Sequence, residues 1–298
     1  MRKQKSEIVK IITELHETLN IKLSILFKVA KLAKSVYYYW INQFIKPNKD
    51  DELIKVIKEI CKESNYTYGY RRVTQDLSNR GINVNHKKVR RLMKELGLSC
   101  SKFTHRGRKY RSFKGKVGKV AKNIINRRFK THVPFQKIVT DITEFKLKNG
   151  QKLYLSPFMD LYSSEIISFE ISNRPSLEIV INPLKEMMAM RPDLSYRLTI
   201  HSDQGWHYQH SQYTKLLKAN KVFQSMSRKG NCLDNSVMEN FFGLLKQEMY
   251  YGQEFEDFQQ LEQAIHRYIH FYNNERIKSK LKGLSPKKFR KQTFQISY

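Results

Sequence analysis

The sequence predicts an α/β fold in which a mixed five-stranded sheet with helices follows an all-helical region. Apolar residues recur at amphipathic-helix spacing as far as Leu96, whereas from Lys137 they alternate along short segments rich in β-branched residues. The chain has 298 residues, of which 40% are hydrophobic and 12% aromatic, so it contains enough apolar surface for a packed core. We therefore expect a helical N-terminal part and a layered α/β part.

The first 49 residues are predicted to form an N-terminal helical region. One apolar face has the i, i+3, i+4, i+7 spacing at Leu23, Leu26, Phe27 and Ala30. The dipeptide Pro47-Asn48 then interrupts the pattern, because proline cannot continue a helix and the residue before it avoids the helical conformation.

Residues 50–100 are predicted to form a helix-turn-helix DNA-binding domain. Asp50 begins its first helix, the second covers Arg71–Asn79, and Asn85 caps a third helix that ends at Gly97. The face of the third helix opposite its apolar stripe is basic, with Lys87, Lys88, Arg90, Arg91 and Lys94. A basic last helix is typical of a helix that lies in a groove of DNA. An ordinary three-helix bundle with a solvated cationic face has the same pattern.

A change in the spacing of apolar residues at Pro134, from helical to alternating, predicts the start of a β-sheet. Strands are expected at Lys137–Leu147, Leu153–Leu161, Glu165–Ile171, Arg197–Ile200 and Val222–Met226, with a hairpin at Asn149-Gly150. Helices are expected at Ser176–Met190, Tyr213–Ala219 and Ser236–Met249. This order is typical of a ribonuclease H-like sheet. The predicted catalytic core therefore covers 132–250, between a basic linker at 101–131 and a C-terminal helical extension at 251–298.

The charge of the chain is strongly positive and unevenly distributed. The formal net charge is +29, and residues 1–130 carry 33 Lys and Arg against 10 Asp and Glu, whereas residues 131–298 carry 23 against 17. Residues 96–140 contain thirteen basic and no acidic residues. A basic excess concentrated in one part of a chain indicates binding to a polyanion, here nucleic acid. A lysine-rich solvated surface and a membrane surface are the alternatives.

Several classes of protein are not favoured by the composition. No stretch approaches the ~20 apolar residues that a membrane span needs, and the charged N-terminus has no secretory signal pattern. The three cysteines, Cys61, Cys100 and Cys232, are widely separated, so neither a zinc cluster nor a disulfide framework is supported. We expect a cytoplasmic protein with no membrane partner.

Three carboxylates are the candidate metal ligands. Asp141 lies within a predicted strand, Asp203 follows the end of another, and Glu239 lies in the first turn of a helix. A carboxylate buried in a sheet needs a cation or a donor, and Mg²⁺ is held by few carboxylates plus water and phosphate. Two such ions can assist phosphoryl transfer. Asp160 also lies in a predicted strand, where a structural role is the competing interpretation.

Short motifs around these residues resemble the insertion-sequence transposases of the IS-three type, which belong to the retroviral-integrase superfamily with a DDE catalytic core. The run 201–205 (HSDQG), the run 225–236 (SMSRKGNCLDNS) and the segment that begins at Glu239 are similar to the family's motifs, with thirty-five residues between Asp203 and Glu239. Thr140-Asp141-Ile142-Thr143 matches the first motif. Tyr68-Gly69-Tyr70-Arg71-Arg72 and 84–89 resemble the family's helix-turn-helix, and 271–273 and 284–286 its C-terminal signature.

This resemblance covers nearly the whole chain and implies a specific activity. It implies hydrolysis at the 3′ ends of the element and attack of the freed 3′-OH on target DNA, with Asp141, Asp203 and Glu239 as catalytic and metal-binding residues. The expected cofactor is Mg²⁺, with Mn²⁺ as a substitute and two ions in the site. Basic residues expected at the DNA are, besides the third helix, Lys246, Arg71, Arg72, Arg228 and Lys229.

The expected partners are the terminal inverted repeats of the element and the target DNA. We also expect a homo-oligomer in the synaptic complex and a first-frame product to which this second-frame product, OrfB, is fused or paired. Two other functions fit parts of the sequence. One is a catalytically silent or domesticated relative that binds DNA, against which the three intact carboxylates argue. The other is a ribonuclease H-type hydrolase of RNA in hybrids, against which the basic helix-turn-helix argues.

Overall fold

The computed structural model describes residues 2–45, 50–100 and 120–295. The predicted break at Pro47-Asn48 and residues 101–119 of the predicted linker lie outside the described residues. The chain divides into two compact units, Met1–Lys58 and Glu59–Tyr298. None of the described helices is long and apolar enough to cross a membrane.

The first unit confirms the predicted N-terminal helices. It contains α1 (Arg2–Leu19), α2 (Leu23–Val29) and α3 (Lys34–Ile45), followed by the start of α4 (Asp51–Glu63), which crosses the boundary between the units. The core of α1–α3 consists of Val9, Ile12, Leu26, Leu32 and Tyr37. The predicted apolar face faces this core, since Leu26 is buried and the other members pack against it.

The helices of the predicted DNA-binding domain form as expected. After α4 come α5 (Tyr70–Asn79) and α6 (His86–Glu95). The side chain of Asn85 caps α6 by accepting a hydrogen bond from the Lys87 amide at 2.8 Å. Gly97 ends α6 with a φ of +67°, a left-handed conformation that glycine adopts without steric cost. The apolar face of α6 is buried at Val89, Leu92 and Met93.

The second unit contains a mixed sheet. Its strands are β1 (Lys137–Thr140), β2 (Thr143–Lys146), β3 (Lys152–Asp160), β4 (Ile166–Ser172), β5 (Thr199–Ser202) and β6 (Phe223–Met226). The order is β2-β3-β1-β5-β6, and β4 also pairs with β3. The pairs β1–β5 and β5–β6 are parallel and the others antiparallel. The predicted ribonuclease H-like layer is therefore present.

One predicted strand is wrong, because Lys137–Leu147 is broken in two at Asp141–Ile142. Both halves pair with β3, through Thr140↔Phe158 and Thr143↔Leu155. Continuing this register places Asp141 opposite Pro157, which has no amide hydrogen to donate to the ladder. The Ile142 amide donates instead to Asp141 Oδ1 at 2.8 Å. The sheet therefore has six strands rather than five, and the interruption lies at a candidate site residue.

Helices cover both faces of the sheet. They are α7 (Glu178–Met190), α8 (Trp206–Gln209), α9 (Ser211–Ala219), α10 (Ser236–Leu245), α11 (Phe258–Asn274) and α12 (Pro286–Gln295). Residues of α10 and α11 pack with Val139 and Leu155 in one core cluster. Residues of α7 and α9 pack with Ile138 and Phe158 in another. Neighbouring residues of a strand therefore face opposite layers.

A buried ion pair lies where α10 changes its winding. The helix predicted to reach Met249 is α-helical to Leu245 and continues as a π-helical turn, Lys246–Tyr250. Glu248 in this turn accepts hydrogen bonds from Arg276 at 2.6 and 2.8 Å, and from the Tyr268 hydroxyl at 2.9 Å. Arg72 of α5 lies 4.0 Å from the same carboxylate. The pair therefore joins the end of α10 to α5 and to the segment after α11.

Candidate active site

The sheet brings Asp141 and Asp203 together. Strands β1 and β5 are parallel neighbours, with Val139 aligned with His201. Continuing that register by two residues aligns Asp141 with Asp203 just beyond the carboxyl ends of the two strands. Neighbouring strands lie about 4.8 Å apart, so these two side chains leave the sheet side by side. This is the edge where open α/β sheets bind their ligands.

Asp141 is half-buried and surrounded by negative charge. Burial raises the pKa of its carboxyl well above the usual range, and the charges of Asp203 and Glu239 raise it further. Hydrogen bonds from the Ile142 amide and the Asn235 side chain act in the opposite direction. Asn235 also donates to the carbonyl oxygen of Thr140 at 3.4 Å. Asp141 is thus held by two donors, and no described basic residue forms an ion pair with it.

Asp203 is oriented by the turn that follows β5. Its Oδ1 accepts a hydrogen bond from the Gly205 amide at 2.9 Å. Burial raises the pKa of this carboxyl, and the Gly205 amide and His207 act against that rise. A Cβ atom at position 205 would lie 3.0 Å from Asp203 Oδ1. Glycine is therefore favoured here because the carboxylate approaches its backbone closely.

Glu239 lies in the first turn of α10, which packs against β1. The residue is exposed, and its pKa is raised by the burial of part of its carboxyl. Because its charge helps to raise the pKa of Asp141, the three predicted carboxylates share one region of the molecule. In the described part of the chain, no three Asp, Glu, His or Cys side chains converge as ligands of a single ion.

The donor set nevertheless has the chemistry that a hard divalent cation needs. All three carboxyls have raised pKa values, through burial at Asp203 and Glu239 and through burial and the charges of the other two acids at Asp141. The Oδ1 atom of Asn235 is buried without a hydrogen-bond partner among the described residues. Mg²⁺ is usually held by one or two carboxylates together with water. Three carboxylates that do not all converge on a single point therefore still fit as Mg²⁺ ligands.

Two histidines near Asp203 form hydrogen bonds with neighbouring groups. His201 is buried, and its Nε2 donates to the carbonyl oxygen of Asp234 at 2.9 Å, while Nδ1 lies 2.8 Å from the Ser225 hydroxyl. His207 Nε2 donates to the carbonyl oxygen of Pro175 at 2.9 Å. Burial lowers the pKa of both imidazoles, so both are neutral at pH 7.

Asp160 has a structural role, as the competing interpretation held. Its carboxylate accepts hydrogen bonds from the Phe135, Tyr162 and Ser163 amides and from the Ser163 hydroxyl. The side chain is fully buried, and burial raises its pKa to about 6 despite these donors. A carboxylate surrounded by local donors fixes the turn between β3 and β4.

Lys246 lies beside the carboxylates. It is half-buried, and its Nζ lies 5.2 Å from the centre of the Phe145 ring. Burial lowers the pKa of its ammonium group, whereas the charges of Glu144 and Asp141 raise it. The side chain is therefore within electrostatic range of Asp141, at the start of the π-helical turn.

Some of the other predicted DNA-binding residues are exposed, and others contact aromatic rings or acids of the protein itself. Lys87, Arg90 and Arg91 are exposed on α6, Lys88 is half-buried there, and Lys229 is exposed in the loop before α10. Arg71 and Arg90 lie over the Tyr70 ring, at 5.8 and 5.6 Å from its centre. Arg72 instead faces the Tyr68 ring and Glu248, and Arg228 pairs with Asp234.

Sequence reasoning missed Asp234, Asn235 and Arg127. Asp234 stands out in the sequence only as part of a loop motif, yet its carboxylate is fully buried and binds Arg127 from the predicted linker. The part of the linker around Arg127 is packed against the catalytic core, because Ile125 is buried and the Ile124 amide donates to the Ser225 hydroxyl at 2.9 Å. The one feature of the sequence that could have pointed to this cluster is the position of Asp234, an acid within a Gly- and Asn-rich loop.

The basic face of α6 gives a first testable prediction. Replacing Lys87, Lys88, Arg90 and Arg91 by Ala is expected to weaken binding to duplex DNA. The slope of log K against log salt should decrease by about 0.9 for each phosphate that the variant no longer neutralises. The measurement is a salt titration by fluorescence anisotropy. Exposed Lys215 and Lys218 of α9, replaced by Ala, serve as the control. An unchanged slope in the α6 variant would disprove a role at phosphate.

The raised pKa of Asp141 predicts a pH-dependent stability. Because its folded pKa lies above the ordinary value of 3.8, the metal-free protein should lose stability as pH rises from 3.8 through the folded pKa. Asp141→Asn should raise the metal-free melting temperature at pH 7 and flatten this dependence. Added Mg²⁺ should stabilise the wild type more than the variant. A lower melting temperature in Asp141→Asn with an unchanged pH dependence would contradict the expectation.

Comparison with protein families gives matches along most of the chain. Residues 48–107 match the HTH-like domain, residues 131–232 match the integrase core domain, and residues 239–294 match a second description of the integrase core domain. The first of the integrase matches contains Asp141 and Asp203, and the second begins at Glu239.

Individual relatives are similar over nearly their full lengths. The putative transposase InsK for insertion sequence element IS150 of Escherichia coli is 43% identical over 96% of this chain and 99% of its own. A transposase-like protein of Haemophilus influenzae is 50% identical over 71% of this chain and 95% of its own. The HTLV-2 integrase catalytic core domain, solved in complex with magnesium, has a TM-score of 0.43 and 15% identity over 54% of this chain and 99% of its own, a likeness too weak to add to the strand order.

Proposed function

The chain belongs to the insertion-sequence transposases of the IS-three type and acts in DNA transposition, and we propose that Asp141, Asp203 and Glu239 form its catalytic centre. The proposed reaction is hydrolysis of a phosphodiester at each 3′ end of the element, followed by attack of the freed 3′-OH on target DNA. One observation carries this proposal. The parallel register of β1 and β5 aligns two acids at the sheet edge, where the charge of Glu239 also acts.

Divalent cations are part of the proposed centre. The three carboxylates would hold Mg²⁺, or Mn²⁺ in its place, and two ions would be shared among them because each needs only one or two carboxylates. When bound, such ions supply activation of the attacking oxygen and stabilisation of the leaving oxygen. The raised pKa of Asp141 supports this proposal, because a cation would relieve the repulsion that the charges of Asp203 and Glu239 exert on it.

The chain's own residues prepare the carboxylates for this role. The Ile142 and Gly205 amides each bind one oxygen of an aspartate, which fixes the orientation of Asp141 and Asp203 before any ligand arrives. Asn235 holds Asp141 from the loop before α10. Lys246 is suited to contact the phosphate backbone beside the reacting bond, because its half-buried ammonium group lies within range of Asp141.

DNA is recognised by separate parts of the chain in this proposal. The exposed basic face of α6 contacts the terminal inverted repeat through a groove, with Arg71 and Arg90 arranged around Tyr70. The sheet edge receives the scissile strand and then the target DNA. Pairing of two element ends requires at least two copies of the chain, and a first-frame product is a further proposed partner.

An excision assay tests the proposed function. A plasmid carries the gene with its own flanking DNA, and the purified full-length chain is added with Mg²⁺ or with a chelator. We expect new 3′ ends at the boundaries of the element only with Mg²⁺. A chain that binds the boundaries without cutting them would be a catalytically silent relative. Faster turnover of an RNA–DNA hybrid than of duplex DNA would indicate a ribonuclease H-type hydrolase instead.

A further inference from the structure

A fully buried carboxylate, Asp234, binds two arginines from distant parts of the sequence. Arg127 Nε donates to Asp234 Oδ1 at 2.9 Å. Arg228 donates through Nε to Oδ2 and through Nη2 to Oδ1, both at 2.8 Å. The Asn123 side chain donates to Oδ2 at 3.0 Å. These contacts lower the pKa of Asp234, with the Arg228 hydrogen bonds as the largest cause, so the acid is ionised at any physiological pH.

The two guanidinium groups keep unused donors at the surface. The side chain of Arg127 is 43% exposed and that of Arg228 is 53% exposed. A guanidinium has five N–H donors. Arg127 uses Nε and also Nη2, which donates to Asn231 at 3.1 Å, and Arg228 uses Nε and Nη2. Among the described residues, no hydrogen bond engages Nη1 of either side chain.

The charges in this cluster do not cancel. One carboxylate faces two guanidinium groups, and exposed Lys229 follows Arg228 directly in the chain. A structural ion pair would need only one arginine for this acid. Arginine forks pre-oriented by a buried carboxylate match the geometry of a phosphate, which they bind through paired hydrogen bonds.

The cluster is joined directly to the carboxylates of the site. The carbonyl oxygen of Asp234 accepts the hydrogen bond of His201, two residues before Asp203. The next residue, Asn235, donates to Asp141. The same dipeptide thus fixes the arginines with one side chain and supports the candidate site with the other.

The segment that carries Arg127 is held in an unfavourable conformation. Asn126 and Arg127 have φ values of +45° and +60°, in the left-handed region that residues other than glycine rarely adopt. Ser225 accepts hydrogen bonds from the Ile124 and Ile125 amides at 2.9 and 3.3 Å, and Asn123 accepts one from the Asn126 amide at 2.7 Å. The surroundings therefore impose the conformation that directs Arg127 to Asp234.

We propose that Arg127 and Arg228, fixed by Asp234, form a phosphate clamp that binds the DNA backbone beside the candidate carboxylates. This inference rests on the proposed function, because it assigns to the same site a second set of DNA contacts. The ligand is a phosphodiester group of duplex DNA. The clamp places the scissile strand relative to Asp141 and Asp203, while Asp234 is a positioning residue that touches no DNA.

The first test is a salt titration of DNA binding by the full-length chain. The probe is a duplex taken from the DNA that flanks the gene. Arg127→Gln and Arg228→Gln should each lower the slope of log K against log salt by about 1, whatever their effect on melting temperature, because each variant keeps the other arginine on Asp234. The control is Arg197→Gln, an exposed arginine that lies over Phe223 at the opposite end of β5. Unchanged slopes with lower melting temperatures would overturn the clamp in favour of a structural ion pair.

A second test uses the unmodified arginines, so it does not depend on how the variants fold. Phenylglyoxal reacts with exposed guanidinium groups, and mass spectrometry measures the rate at each position. The same duplex should protect Arg127 and Arg228 several-fold and leave Arg197 unprotected. Equal rates with and without DNA would overturn the proposal. The assay is repeated with Asp203→Asn, where protection should persist. Protection without cleavage by the wild type would separate a failure of the proposed chemistry from a failure of the clamp.

Discussion

Asp203→Asn and Glu239→Gln are each expected to lower the rate of cleavage at the element ends on the order of 10³-fold, while binding to the same DNA is retained. The amide keeps the shape of each side chain but removes the negative charge that would hold a divalent cation. Metal ions stabilise a phosphoryl-transfer transition state by several kcal/mol, and each 1.36 kcal/mol corresponds to a tenfold rate. In Asp203→Asn, the remaining oxygen can still accept the Gly205 amide hydrogen, so the turn should persist.

The matched control for these variants is Asp193→Asn. Asp193 is an exposed acid in the loop between α7 and β5, and its replacement removes the same charge away from the sheet edge. Single-turnover cleavage of a labelled boundary duplex, with binding measured in parallel, separates chemistry from recognition. Wild-type cleavage rates in Asp203→Asn and Glu239→Gln would refute the assignment of the metal site.

Arg276→Met is expected to destabilise the second unit by about 3–5 kcal/mol, because it leaves the carboxylate of Glu248 without its main partner. Both side chains are 1% exposed, so water cannot replace the missing hydrogen bonds. Arg72, at 4.0 Å, is too distant to replace them in its present position. Glu248→Gln should cost a similar amount, since it leaves Arg276 charged and buried. The measurement is the free energy of unfolding from chemical denaturation.

A double-mutant cycle identifies the cause of this destabilisation. Combining Glu248→Gln with Arg276→Met removes both charges, so the double variant should be more stable than the sum of the two single effects predicts. Glu95→Gln is the control, because its ion pair with Arg91 is more than half exposed on both sides and such pairs contribute less than about 1 kcal/mol. Additive effects in the buried pair would contradict a dominant charge interaction.

Periodicity predicted the elements of this fold well where one face of an element is buried. The cap at Asn85 and the end of α6 at Gly97 follow from local chemistry, which acts over a few residues. The break in the first strand did not follow, because its position opposite Pro157 of the neighbouring strand is a property of the sheet register. That residue becomes opposite to Asp141 only after the register of the sheet is known.

In the candidate site, too, the sequence predicted the features that depend on local residues and missed those that depend on tertiary contacts. The spacing and motifs around Asp203 and Glu239 indicated the carboxylates, because those residues lie where elements begin or end. Arg127 could not be found in this way, since its contact with Asp234 spans 107 residues and forms through side chains alone. Arg72 has the positive charge expected of a DNA contact, yet in the folded chain its guanidinium group faces Glu248. Positive charge by itself does not distinguish a solvent-facing arginine from a buried one.

The two histidines beside Asp203 add no positive charge to the sheet edge at pH 7. A histidine with an ordinary pKa would gain charge during mild acidification and weaken the attraction of this edge for cations. Burial lowers the pKa of His201 and His207, and it outweighs the carbonyl acceptors on Asp234 and Pro175, which act in the opposite direction. The charge beside Asp203 at pH 7 is therefore that of the carboxyl groups, without a counter-charge from the two imidazoles.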